Sequence, residues 1–197
     1  MKMIRFTLIT LALLFACNTF AQKIKVASGD INNLKGINQL NIEFDYSDLA
    51  VGDFDNEEDY IAKRVAEINE KEAGAGDSWK VKWFDDREYR YEPKFKELFS
   101  KYADHIESGE DIDAEVTMNA HTIFIEPGFN VGVARRPAMI NMKVTFSKGD
   151  EELVVIAIDK CPGGDAMGFD YDTGGRIAEA YAKAGKSLAK YMDKKIK

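Results

Sequence analysis

The sequence predicts an α+β domain of two layers, with a mixed sheet ending in a C-terminal antiparallel three-strand meander and three amphipathic helices on one face. Three observations predict it. Residues 138–146 alternate strictly, with Ala138, Ile140, Met142, Val144 and Phe146 against Asn141, Lys143 and Thr145, the period of a strand that buries one face. The last 25 residues or so place Ile177, Tyr181, Ala184, Leu188 and Tyr191 at helical spacing. The order of elements between them is strand, helix, weak strand, helix, then three strands and a helix, which segregates the strands as α+β folds do.

The chain opens on an address. Lys2 and Arg5 precede an apolar run over residues 6–16, and Thr19-Phe-Ala21 supplies a small-x-small cleavage site before Gln22. This is the pattern of a secretory signal peptide, so the domain is residues 22–197 and its location is periplasmic or secreted. A rival reading takes Leu14-Phe-Ala-Cys17 as a lipoprotein box with Cys17 as the anchor. No later run approaches the length of a transmembrane helix.

After the leader, Ile24 and Val26 alternate in an edge strand, and Leu40, Ile42, Phe44 and Tyr46 mark a stronger one. Asn56 caps a helix whose first turn holds Glu57, Glu58 and Asp59 and whose stripe is Ile61, Val65 and Ile68. Gly74 suits the left-handed residue beyond its end. Trp79-Lys-Val-Lys-Trp83 alternates as a weak strand. Pro93 opens the next helix, with Phe95, Leu98, Phe99, Tyr102 and Ile106 on one face and Gly109 as its stop. The meander follows as residues 114–126, 138–146 and 153–158, the last an apolar run suited to a strand covered on both faces. Asp172 or Thr173 starts the final helix, where Ala180 and Gly185 allow close approach to the sheet and Lys190, Lys194 and Lys195 complement the negative end.

Composition excludes several functions. The chain has 27 Lys and Arg against 34 Asp and Glu, a net charge of −7, and removing the leader makes it more acidic. Nothing in that balance suits nucleic acid or an anionic membrane surface. Cys161 is the only cysteine after the leader, so no internal disulfide forms and the thiol is expected to be buried.

Topology points to one place for chemistry. The first and third strands of an antiparallel meander finish at the same edge, so the loops 127–137 and 162–172 and the start of the last helix meet there. That gathers Arg135, Arg136, Asp165, Asp170, Asp172 and Arg176 beside Gly174 and Gly175. The ligand-binding candidates are accordingly Arg135, Arg136, Asp170, Asp172, Gly174, Gly175 and Arg176, for a small anion held by free N–H groups and guanidinium forks. The competing account of the same residues is structural: Asp172 or Thr173 caps the helix and the arginines pair with loop aspartates. Calcium at Asp165, Asp170 and Asp172 lacks the spacing of an EF-hand loop. A Cys161–His121 nucleophile pair has no third orienting group, and no catalytic motif is present. The reading is a chain with no catalytic residues, no metal and no cofactor. Trp79 and Trp83, if exposed, would mark a surface for an envelope protein partner.

Glu57-Glu-Asp-Tyr-Ile-Ala-Lys63, Glu126-Pro-Gly-Phe-Asn-Val-Gly-Val-Ala-Arg135, Asp165-Ala-Met-Gly-Phe169 and Glu179-Ala-Tyr-Ala-Lys-Ala-Gly-Lys186 span most of the mature chain. In these segments the chain resembles a family of small secreted bacterial proteins of unknown function. The resemblance implies export and a single domain. More distantly, the element order is similar to periplasmic α/β modules of envelope-assembly lipoproteins, including that of the curli-secretion channel, a likeness of fold only. The function expected is that of a non-catalytic, exported, envelope-associated binding or adaptor protein. The alternative is a small-ligand or anion-binding protein using the edge formed by residues 127–137 and 162–176.

Overall fold

A computed structural model describes residues 22–130, 134–164 and 172–196. Its strands are β1 (Lys23–Gly29), β2 (Gln39–Asp45), the short β3 (Ala50–Val51), β4 (Glu107–Gly109), β5 (Thr117–Glu126), the short pair β6 (Phe129–Asn130) and β7 (Arg135–Arg136), β8 (Met139–Lys148) and β9 (Glu151–Pro162). The main sheet runs in the order β1-β9-β8-β5-β2-β4. β5, β8 and β9 form the expected antiparallel meander, with β1 antiparallel on its outer edge. β2 and β3 both lie parallel to β5, and β4 lies parallel to β2. β6 and β7 pair as a separate ribbon.

The helices are α1 (Glu57–Asn69), α2 (Ala75–Asp86), α3 (Glu92–Tyr102) and α4 (Thr173–Lys195), with a π turn over Arg87–Tyr91 that joins α2 to α3. α2, the π turn and α3 therefore run as one rod, and three helical bodies cover one face of the sheet. Asn56 caps α1 by accepting from the Asp59 N–H at 2.8 Å.

Three expectations need correction. Trp79 to Trp83 is helical, not a strand. Positions i and i+4 share a face at either period, so two tryptophans four apart do not separate strand from helix. Both pack on Tyr60 of α1, with ring centroids 6.0 and 5.2 Å away, and on each other at 5.6 Å. Trp83 is buried and Trp79 half-buried, so neither forms the exposed patch a partner would need. Pro93 is in the first turn of α3 as expected, but no break precedes that turn, because the chain is already helical ahead of it. The wide turn ahead of it carries a bond from the Glu92 N–H to the Arg87 carbonyl, one residue before the position where proline has no donor to give. Gly109 lies in β4, and α3 ends earlier, at Tyr102.

β9 is also less enclosed than its apolar run suggests. Val154, Ile156 and Ile158 are buried under the helices, whereas Leu153, Val155 and Ala157 on the opposite face are only half-buried. That open face carries His121, whose Nε2 lies 2.6 Å from the Ser47 carbonyl. Cys161 is fully buried on the helix side, where its thiol meets the Ala180 carbonyl at 3.2 Å. Burial pushes the thiol up to about 12. His121 and Cys161 thus sit on opposite faces, and the nucleophile pair drawn from the sequence does not form.

α4 is the centre of the helical layer. Ile177, Tyr181, Ala184 and Leu188 are fully buried. Tyr181 stacks on Tyr91 at 5.0 Å and shares a 2.8 Å hydrogen bond with Thr122 of β5. Ala180 approaches the sheet as expected, but Gly185 serves a different contact. A Cβ there would strike the Phe95 carbonyl and the Phe99 N–H, so its bare backbone sets how closely α4 crosses α3.

Candidate functional site

β5 ends at Glu126, β8 begins at Met139, β9 ends at Pro162 and α4 begins at Thr173, all at one edge of the sheet. Backbone hydrogen bonds stitch these ends together: Ala138 N–H to the Gly164 carbonyl at 3.1 Å, Gly163 N–H to the Ala138 carbonyl at 2.7 Å, and Gly164 N–H to the Arg176 carbonyl at 2.9 Å. Gly128, at φ 72°, turns the chain back where a Cβ would meet the backbone of residues 136–138. The Gly52 N–H donates to the Ile125 carbonyl at 2.8 Å and brings the loop after β3 to the same edge.

The predicted residues divide into two groups around this rim. Arg135 and Arg136 lie on the β6–β7 ribbon and line an open-sided cleft of about 500 Å³. Asp172, Gly174 and Gly175 lie on the other side, against the end of α2. Arg176 bridges them from a buried position, donating to Thr173 Oγ1 at 3.0 Å and reaching the Pro127 carbonyl at 3.5 Å. Asp165 and Asp170 fall outside the described residues.

The start of α4 is occupied by the protein's own carboxylates. Asp172 caps the helix by accepting from the Gly175 N–H at 3.1 Å, and it takes two bonds from Arg90 Nη1 at 2.7 and 2.8 Å. Asp86 lies where a Cβ on Gly174 would sit, and it also pairs with Arg90 at 3.0 Å. Small residues at 174 and 175 are needed to admit these carboxylates. This is the capping arrangement, and it fills the place where an anion would meet the free N–H groups.

Burial acts to raise the Asp172 carboxyl, but the Arg90 bonds and the Gly175 N–H outweigh it and hold the group below its ordinary value. A carboxyl lowered by folding adds stability above its unfolded pKa and loses it as pH falls through the folded value. Asparagine caps as well as aspartate, so Asp172→Asn keeps the cap and removes the charge pair. The variant is expected to melt below wild type at pH 7, with the gap closing as the pH is lowered below about 4. Thermal melts across that range check it.

The cleft has a different character. Phe124, Pro137, Met139 and Pro162 give it an apolar wall, and Arg135, Arg136 and Lys160 contribute three cationic side chains. Its volume is that of a small-molecule site. Arg136 is fixed from below: Glu126, itself buried, accepts from Arg136 Nη1 at 2.8 Å through one oxygen and from the Gly128 N–H at 3.0 Å through the other. Asp53 lies 3.6 Å from the same nitrogen, and the guanidinium stands 5.6 Å over the Phe129 ring. The Glu126 bond raises the Arg136 pKa, so the cation is permanent.

Lys160 was not among the residues singled out in the sequence. It sits at a β-bulge, where Asp159 and Lys160 together oppose Asn141 of β8. Its N–H donates to Asn141 Oδ1 at 2.7 Å, and its backbone is held at φ 54°. A side chain in the left-handed region is strained, and bulges commonly re-aim a residue beside a site. No periodicity marks such a position. Lys160→Gly relieves the left-handed backbone and should raise the urea midpoint by an amount worth up to about 1 kcal/mol.

Among the described residues no group of three His, Cys, Asp or Glu side chains is placed to hold a metal ion, and no helix is long and apolar enough to cross a membrane. No protein-family model matches the chain, and no curated protein matches it. A solved structure that it resembles is a PelC dodecamer from Paraburkholderia phytofirmans, at 8% identity over 83% of this chain and 96% of that one, with a TM-score of 0.36. No property of that assembly is transferred to this chain by a likeness of that size.

Proposed function

We propose that this chain is an exported, envelope-associated binding protein without catalytic activity, and that its binding element is the rim cleft, which takes a small organic anion. One observation carries the reading: an apolar wall and three cationic side chains line the same cleft, where they outnumber the two carboxylates, Asp53 and Glu126, that hold Arg136. Guanidinium forks suit carboxylate or phosphate, and the wall rewards a hydrocarbon or aromatic body. The test is a thermal-shift panel of organic carboxylates and alkyl phosphates at matched ionic strength, because a ligand that binds only the native state raises the melting temperature. At least one amphipathic anion is expected to raise it, and the Arg135→Gln/Arg136→Gln variant to lose that response. A flat response across the panel contradicts the reading.

A second reading, an adaptor for an envelope protein, draws on another feature. Tyr89, Pro93 and Leu98 face Ala178 and Ala182 of α4 across an apolar groove of about 500 Å³, and Tyr89 is 71% exposed. Crosslinking in cells separates the two. A partner lost on Ala178→Glu but kept on Arg135→Gln/Arg136→Gln would favour the adaptor.

A further inference from the structure

We propose that Gln22 becomes the N-terminus of the mature chain and cyclises to pyroglutamate, sealing the junction between β1 and α4. The proposal rests on the leader's cleavage after Ala21 and is independent of what the rim cleft binds. Gln22 directly follows Thr19-Phe-Ala21, so cleavage there exposes its α-amine.

The structure shows an amide that is only half satisfied. Gln22 stands one residue before β1 with its side chain against α4, where Oε1 accepts from Ser187 Oγ at 3.1 Å. Nε2 is buried and has no hydrogen-bond partner among the described residues. Exchanging the amide oxygen and nitrogen does not help, since either orientation leaves one end without a partner. A buried donor with nothing to donate to is costly.

The neutral α-amine is the nucleophilic form. In the cyclisation the α-amine nitrogen attacks Cδ of its own side chain. The N–Cδ bond forms, the Cδ–Nε2 bond breaks, and Nε2 leaves as ammonia with a proton from the amine. No oxidant or reductant is involved. The lactam keeps a carbonyl acceptor for Ser187, loses the unsatisfied NH₂ group and carries no charge.

The experiment is intact-mass and N-terminal analysis of the protein secreted from its full precursor. The expected chain starts at residue 22, weighs one ammonia less than the free-amine form, resists Edman degradation and becomes sequenceable after a pyroglutamate-removing aminopeptidase. A free amine persisting on Gln22 overturns the proposal, and so does a chain starting elsewhere, including one lipidated at Cys17. The structural part is tested by melting the cyclised chain beside the same chain with Gln22 freshly exposed. The cyclised form is expected to melt higher by about 2 °C, and equal or lower melting overturns it.

Discussion

Replacing Glu57 with alanine is expected to destabilise the domain by about 3 kcal/mol, measured as a shift in the urea midpoint. Glu57 takes two bonds from Arg87 Nη2, at 2.5 and 2.6 Å, and one from Trp83 Nε1 at 2.7 Å. The pair is well shielded, with side chains 13% and 19% exposed. Arg87 also lies 4.3 Å over the Tyr46 ring, so it cannot easily swing into water without giving up that contact. Removing the carboxylate leaves a guanidinium and an indole N–H with little to bond. Exchanging both charged partners for apolar side chains of similar volume should cost far less than the single change, because the penalty lies in the orphaned charge. The cycle Glu57→Leu, Arg87→Met and the double variant measures this. A double variant as unstable as the sum of the singles would contradict it.

Gly185→Ala is expected to destabilise by about 1–3 kcal/mol, against the usual sign for such a change. Alanine in a helix interior ordinarily gains about 1 kcal/mol over glycine, and α4 is a 23-residue helix in which Gly185 is central and buried. The loss arises because the new Cβ would meet the Phe95 carbonyl and the Phe99 N–H of α3. Backbone cannot step aside as a flexible side chain would, so α4 must move off a core that includes Phe99, Tyr181 and Leu188. Denaturant unfolding of the variant decides the sign. A gain in stability would mean that α3 and α4 pack less closely than the structure has them.

Much of this architecture was legible because local signals agreed with one another. The alternation from Ala138 to Phe146 became β8, Asn56 and Asp172 became caps, and the meander's parity alone placed Arg135, Arg136 and the start of α4 at one edge. Where local signals were ambiguous, tertiary packing decided. Trp79 and Trp83 fit strand or helix equally, and it is their contacts with Glu57, Tyr60 and Arg64 of α1, absent from any local window, that go with the helix. Pro93 marked the start of α3, but the π turn that joins α3 to α2 has no sequence mark. The rim's division was hidden for a related reason. Arg90 reaches Asp172, and Asp86 reaches Gly174, from some 80 residues away, so the blocking of the helix start could not be read locally. Lys160 has no mark in the sequence because a bulge, not a residue pattern, sets its backbone.

The central claim is that an anion enters the cleft and not the capped start of α4. Amide chemical-shift mapping of the protein during titration with hexyl phosphate and with hexanoate tests it most directly. The account predicts shifts that saturate and cluster at Gly52, Asp53, residues 124–126, residues 135–139 and Lys160, with little change at Gly174 and Gly175. Saturating shifts centred on residues 173–176, or on the groove between Tyr89 and Ala182, would contradict it.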